Sequence, residues 1–524
     1  VALISSIIGV AAGVLLAIGL QAFMRAAGLG LPDGPLTILP RTVIVGILVG
    51  VIVTVVSAIL PARKASRIPP VAAMAADLSA TTRKSLRTRM IAGVAVTFIG
   101  AAMLGLGLFG SISNALWFVS LGALTVFVGV SILAPLFAQP LASVIGWPLP
   151  RLFGVPGELA VQNTRRQPRR TASTASALMI GVALVVFVAI FGSSIKTSVA
   201  VALTDVFPAD ITVTSTNFST GVSPEYTETL SAQPEIGEVS AMGFTQAKID
   251  GDVYTVSSIE PDTVSGVFSL GISDEDLAAM EAEDGLLVSI GLSDYETWLG
   301  RSVSVELANG ATAPGTVVGT FDADNFGEFL ITRDRYVTGL TTVSDSLVAA
   351  NAADGYTAAD AQATAIRVAE PYPTLEVQTT SEVLADAETQ IDQLLAIFSV
   401  LLGLAIIIAV LGITNTLALS IMERTREIGL LRAVGMTRRQ VRRMIRWEAV
   451  VVAIFGAVMG IFTGLLLGWA VVRALDDEGL GSFSVPFGQL VIYIVIAGIA
   501  GVIAAIYPAR KAARLNILEA ISYE

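Results

Sequence analysis

Side chains able to do covalent or metal chemistry are scarce in this 524-residue sequence. It has no cysteine, which excludes a disulfide, a thiolate metal site and a cysteine nucleophile. It has no histidine, which removes the commonest general base and the commonest transition-metal ligand. No G-x-x-x-x-G-K-[ST] run is present, so the chain offers no Walker-type cradle for nucleotide phosphates. One acidic run, Asp322-Ala323-Asp324-Asn325-Phe326-Gly327, starts like a calcium loop. Phe326 stands at a ligand position, however, and Arg333 stands where the bidentate glutamate belongs. Other carboxylates between 196 and 390 have no spacing that singles out a catalytic pair. The expectation is a chain with no catalytic residue, no bound metal and no cofactor of its own.

What remains is a charged run, Glu423 to Arg446, reading ERTREIGLLRAVGMTRRQVRRMIR. Gly435 suits the position after a helix, where φ is positive. Thr437 with Gln440 three residues on makes a capping box that starts a second helix. In that helix Arg438, Arg439, Arg442, Arg443 and Arg446 share a face by i, i+4 spacing. They are expected to meet lipid phosphates at the membrane surface. The first helix carries both signs on one side and Ile428, Leu431 and Val434 on another. Orienting a membrane span needs only cations. Two glutamates therefore point to docking in a groove of a partner protein.

The elements that hold this run are membrane spans. The chain is 54% hydrophobic with a mean hydropathy of +0.75, far above a soluble domain. The fold class expected is a polytopic α-helical membrane protein, about eight transmembrane helices in this chain, with one α+β extracytoplasmic domain. The spans are Val1–Met24, Thr42–Ala62, two within Met90–Pro150, Thr171–Ile195, Gln393–Met422, Ala449–Val472 and Gly488–Ala509. Ser111-Ile112-Ser113-Asn114 is the natural turn inside the uncharged 90–150 run. Pro135, Pro140, Pro148 and Pro150 are expected to end its second span. Glu158–Arg170 reads as an amphipathic helix in the interface. Every basic cluster falls on one side of this alternation, which the positive-inside rule makes cytoplasmic, C-terminus included. Residues 196–390 hold 31 acidic and 6 basic side chains, against 12 and 26 in the rest of the chain. Alternating segments near 210–214 and 302–307, an Ala308-Asn309-Gly310 hairpin turn and helices at Ser273–Glu283 and Ser381–Gln393 make this block α+β.

Pro61-Ala62-Arg63-Lys64-Ala65 recurs as Pro508-Ala509-Arg510-Lys511-Ala512, and the same offset maps Gly9 onto Gly456 and Gly13 onto Gly460. Residues 1–67 thus repeat 448–514. The repeat predicts that the first copy lacks its earlier part, that a complete protein has about ten spans, and that it carries a second charged run. Gly9, Gly13, Gly456, Gly460, Gly464 and Gly468 are expected to let helix backbones approach closely.

The pattern E-R-T-R-E-I-G-L-L-R-A-V-G resembles the coupling-helix signature of FtsX-like, or MacB-type, permeases of ABC transporters. Leu159-Ala160 with Asn163, Arg166, Pro168, Arg169 and Thr171 resembles the family's lead-in helix. Leu286-Leu287-Val288-Ser289 with Val303 and Ala308-Asn309-Gly310 resembles its outer domain, and Pro508–Ala512 its ending. The resemblance divides the chain into the last two spans of a first repeat (1–75), a two-span bridge (76–156), the start of a second repeat (157–195), an extracytoplasmic domain (196–390) and three final spans (391–524) with a coupling helix at 423–435. It implies a bacterial plasma-membrane protein, the permease subunit of an ABC system. A separate ATPase dimer would bind ATP and grip this chain through Glu423, Arg426, Glu427, Gly429, Arg432 and Gly435. The work would be export or extraction of a hydrophobic or lipid-linked substrate. The alternative is mechanotransmission, the outer domain controlling a cell-wall hydrolase or a sensor without transport. A membrane enzyme would need a catalytic constellation, which the residues do not supply.

Overall fold

A computed structural model describes residues 2–26, 39–66, 83–110, 115–166, 168–216, 221–307, 309–310, 312–323, 326–340, 343–476 and 479–516. The Ser111–Asn114 turn, Ala308, Asp324, Asn325 and Arg67 lie outside the described residues. The chain forms two compact units, one of residues 1–195 with 391–524 and one of residues 196–390.

The first unit begins with α1 (Ala2–Ala26) and α2 (Pro40–Ser66), then α3 (Arg83–Phe109) and α4 (Ala115–Gly146). Pro135 and Pro140 do not end α4, contrary to the sequence expectation, and the helix continues through both. Ala134, Ala138 and Ala142 are at most 1% exposed here, so one face is packed along its whole length. Neighbouring helices hold a proline-containing membrane helix in line where an isolated one would break. Short helices α5 (Leu149–Phe153) and α6 (Val155–Arg166) lead to α7 (Pro168–Val206).

Among the described residues the second unit holds nine strands and five α-helices: β1 (Ile211–Ser215), α8 (Pro224–Ser231), β2 (Ile236–Ile249), β3 (Asp252–Ile259), α9 (Val264–Val267), α10 (Asp274–Glu283), β4 (Leu286–Ser289), β5 (Ser302–Glu306), β6 (Thr312–Phe321), β7 (Phe329–Thr332), α11 (Arg333–Gly339), β8 (Leu347–Ala352), α12 (Ala358–Ala369) and β9 (Leu375–Thr379). The strand order is β3-β7-β4-β6-β5-β2-β8-β1-β9, and β3 also pairs with β2. Six strands therefore close into a ring, which leaves no free edge among them. β2 is long enough to serve twice: its first half pairs with β8, its second with β3 and β5. β5 and β6 form the antiparallel hairpin expected around Asn309-Gly310, and Gly310 takes φ +76° there. Ser273 caps α10 by accepting from the Asp276 amide.

Arg333, at the calcium-loop position noted above, serves another purpose. Its guanidinium grips both carboxylate oxygens of Asp345, one at 2.7 Å, and Asp345 is 0% exposed. Glu260 stands 3.7 Å away.

The chain returns through α13 (Thr380–Glu423), α14 (Thr425–Ala433), α15 (Arg438–Ala474) and α16 (Phe487–Ala513). α15 lies at the centre, sharing one apolar core with α7, α13 and α16 and another with α4. Its glycines explain how. A Cβ at Gly456, Gly460 or Gly464 would come within 2.6–2.9 Å of the carbonyls of Ala175, Met179 and Ala183 on α7. Gly468 faces Ile190 of the same helix. Small residues every fourth position remove the side chains that would hold two helices apart. The repeat counterpart of α15, α1, differs. A Cβ at Gly9 or Gly13 meets nothing within 4 Å, and the close approaches are made instead by Gly46 and Gly50 of α2 to Val10 and Ser6. Among the described residues eight helices are long and apolar enough to cross a membrane, and outward side chains such as Ile408, Leu411 and Ile492 are more than half exposed.

Replacing Asp345 by Asn leaves the Arg333 cation buried against a neutral amide. Loss of one partner of a buried pair costs about 3–5 kcal/mol. Amide exchange across 196–390 in the detergent-solubilised chain should accelerate accordingly, while exchange in α15 stays unchanged.

Candidate functional site

The chain leaves α13 at Glu423 and turns at Arg424, whose φ of −106° and ψ of 21° are not helical. Thr425 assists the break: its hydroxyl donates to the carbonyls of Ile421 and Met422 at 3.1 and 2.8 Å. Residues 425–433 then form the short helix α14. It ends in a Schellman turn, with the Met436 amide donating to the Leu431 carbonyl and the Gly435 amide to that of Arg432. Gly435 has φ +109°, which a side chain would resist. One residue later Thr437 and Gln440 complete the reciprocal capping box that opens α15.

Two sets of contacts hold α14 to the end of the bundle. The apolar set centres on Ile428, 2% exposed, which joins Ala160 of α6, Val441, Met444 and Ile445 of α15, and Ala509 and Ala512 of α16. The polar set centres on Arg424. Its Nε and Nη2 donate to both oxygens of Glu427 at 2.7 and 2.9 Å. Its Nη1 stands 3.5 Å from Oε1 of Glu448, and both side chains are about seven-eighths buried. Asn163 of α6 donates to the other Glu448 oxygen at 3.5 Å. Arg170 of α7 pairs with Glu423 at 3.3 Å. Arg432 donates to the carbonyl of Leu515 beyond α16. The hydrogen bonds from Arg424, with partial burial opposing them, hold the Glu427 carboxyl below the usual glutamate range. Its contribution is present above pH 4.5 and is lost as pH falls through the lowered value.

With these contacts made, one stripe of α14 is left facing outward. Arg426, Leu430, Ala433 and Val434 are exposed, Leu430 by 49% and Val434 by 89%. Their spacing of i, i+4, i+7 and i+8 puts them on one helical face. Val434, which the sequence pattern puts on the same side as Ile428, is thus exposed while Ile428 is buried. The Schellman turn begins at that position and carries its side chain out of the apolar face. Of the other expected residues, Arg426 lies on the outward stripe. Glu423 and Glu427 are accessible but ion-paired within the chain. Gly429 is buried, Arg432 is bound to Leu515, and Gly435 makes the turn. Arg438, Arg439 and Arg443 are exposed on α15, with Arg442 and Arg446 half-buried.

Arg424, Glu448 and Leu430 are the residues that sequence reasoning passed over. Glu448 had a visible signal, being a lone acid at the mouth of an apolar span. Leu430 sits about 200° around the helix from Ile428, which marks it as facing away.

Residues 399–517 match the FtsX-like permease C-terminal family, and residues 171–368 match the MacB-like periplasmic core domain. The macrolide export ATP-binding/permease protein MacB of Rhodopirellula baltica is 35% identical over 125 residues, 24% of this chain and 18% of that protein. The ABC transporter permease protein Rv0987 of Mycobacterium tuberculosis is 23% identical over 501 residues, 91% of this chain and 58% of that protein. The chain thus spans less than two thirds of the length of either. The periplasmic region of MacB from Actinobacillus actinomycetemcomitans aligns with 36% of the chain, covering 95% of that structure at 12% identity and a TM-score of 0.28.

Arg424→Gln removes the ion-pair partner of the buried Glu448, leaving the hydrogen bond from Asn163, and should lower stability by about 3–5 kcal/mol. Adding Glu448→Gln removes the stranded charge and should restore part of the loss. Thermal unfolding of the two single variants and the double variant measures the coupling directly.

Proposed function

We propose that this chain, which belongs to the FtsX-like, MacB-type permeases of ABC transporters, is driven by a separate ATPase dimer docked on α14. The observation that carries this reading is the outward stripe of α14. A short helix is clamped on three sides and still presents Arg426, Leu430 and Val434 to the outside. An apolar side chain 89% exposed beside a cation suits a groove in a partner. The basic clusters flanking the spans support placing this end, and the C-terminus, in the cytoplasm. The named relative from Rhodopirellula baltica joins ATP-binding and permease functions in one protein. This reading assigns ATP to a partner chain, as the resemblance to the coupling-helix signature implies.

In this scheme closure of the ATPase dimer displaces α14, and the clamp on Arg424, Glu427 and Ile428 passes that displacement to α7, α15 and α16. Movement of the extracytoplasmic domain at 196–390 then performs the work. The substrate class is hydrophobic or lipid-linked, in line with the macrolide-export name of the relative.

Leu430→Glu with Val434→Glu places two charges on the stripe without touching the clamp. Co-purification of the ATPase from native membranes should fall at least about thirtyfold, the scale of a lost interface hot spot. Membrane insertion and detergent-extracted yield should be unchanged. Full retention of the ATPase by this variant would refute the docking site.

A further inference from the structure

A concavity of about 610 Å³ lies between α5 and α15 and extends to α16. Arg439, Arg442, Arg443 and Arg446 line it, over a floor of Phe153 and Trp447. The two rings are 4.2 Å apart, centroid to centroid, and the Arg443 guanidinium stands 5.8 Å over Phe153. Among the described residues, the ion pairs at this end of the bundle are made by Arg170 and Arg424, not by these four arginines. Arg446 Nε is buried and has no hydrogen-bond partner. A buried donor of this kind calls for an acceptor from outside the chain.

The lining is graded. Arginines occupy the first turns of α15, Trp447 follows, and Val450 with Val502 of α16 closes the other end. An anion alone would have no use for the valine end, and an acidic protein surface would have none for a lining that turns from arginine to tryptophan and valine. An amphiphile fits both ends. The neighbouring surface agrees. Trp147, Leu152 and Val155 are 62–70% exposed around α5, and Arg151 lies 4.1 Å over the Trp147 ring. Aromatic and aliphatic side chains beside arginines are the groups that settle at a headgroup layer. The volume falls within the range of small-molecule sites, about 300–1,000 Å³, and exceeds what one phosphate needs.

We infer that this concavity binds the headgroup of an anionic phospholipid, its phosphate held by Arg442, Arg443 and Arg446 and its glycerol end directed along Trp447 toward Val450. This differs from a diffuse basic surface, because Arg438, on the same helix and equally cationic, is not part of the lining.

The test uses the whole chain in nanodiscs of phosphatidylcholine doped with phosphatidylglycerol or cardiolipin, with retained lipid counted by native mass spectrometry. Wild type should retain the anionic lipid. Arg442→Gln with Arg446→Gln should reduce retention about 25-fold, roughly fivefold per arginine. Arg438→Gln should change it by less than about twofold, as a charge outside the site. Arg442→Lys with Arg446→Lys should keep part of the retention, and matched melting curves exclude misfolding as the cause of loss. Equal losses in Arg438→Gln and the double Gln variant would overturn the site in favour of a diffuse surface. Displacement of the lipid by millimolar pyrophosphate would reassign it to a soluble anion. Unchanged lipid retention with loss of the ATPase from the double Gln variant would make it a protein contact.

Discussion

A carboxylate buried where several helices meet cannot stand without a cation, and Glu448 is that carboxylate. Arg424 answers it at 3.5 Å, and in doing so decides where the chain turns after α13. The same guanidinium grips Glu427, so the first turn of α14 is fixed by the charge that the bundle has to neutralise. Asn163 brings α6 to the same point, and Arg170 brings α7 through Glu423. Remove that cation and α14 and α15 lose the charge that joins them. Ile428 adds an apolar contact with α15 and α16, which makes the attachment directional as well as strong.

This arrangement separates two tasks on one nine-residue helix. Its inner face is spent on attachment, and its outer stripe is free of internal partners. The proposed transmission of displacement would need both, because a loosely held helix would move without carrying its neighbours. The glycines of α15 extend the attachment along the bundle. Backbone contacts at Gly456, Gly460 and Gly464 bring α7 and α15 close enough for the dispersion contacts of each to add along their length.

Local chemistry was readable wherever it depends on near neighbours. The capping box of Thr437 and Gln440, the positive φ of Gly435 and the Asn309-Gly310 hairpin all involve residues within a few positions of each other, and the structure forms each of them. The departures come from partners far away in sequence. Pro135 and Pro140 read as breaks because the neighbours of α4 were invisible. Val434 read as sharing a side with Ile428 because helical periodicity runs on until a turn interrupts it. Gly9 and Gly13 match Gly456 and Gly460 in sequence, yet only the later pair has α7 beside it.

The sequence by itself determined the solvent of this protein and its resemblance to FtsX-like permeases. Uncharged runs of bilayer length, an acidic block between them and the glutamate-arginine run after α13 are one-dimensional patterns, and membrane burial is decided by such patterns. Tertiary structure alone decided which charges are free. Arg424 and Arg426 look alike in the chain, two residues apart. One is committed to Glu427 and Glu448, and the other is left to the surface. That difference is set by Glu448, two dozen residues later, because the electrostatic cost of a buried charge depends on who stands beside it in space and not on its place in the chain.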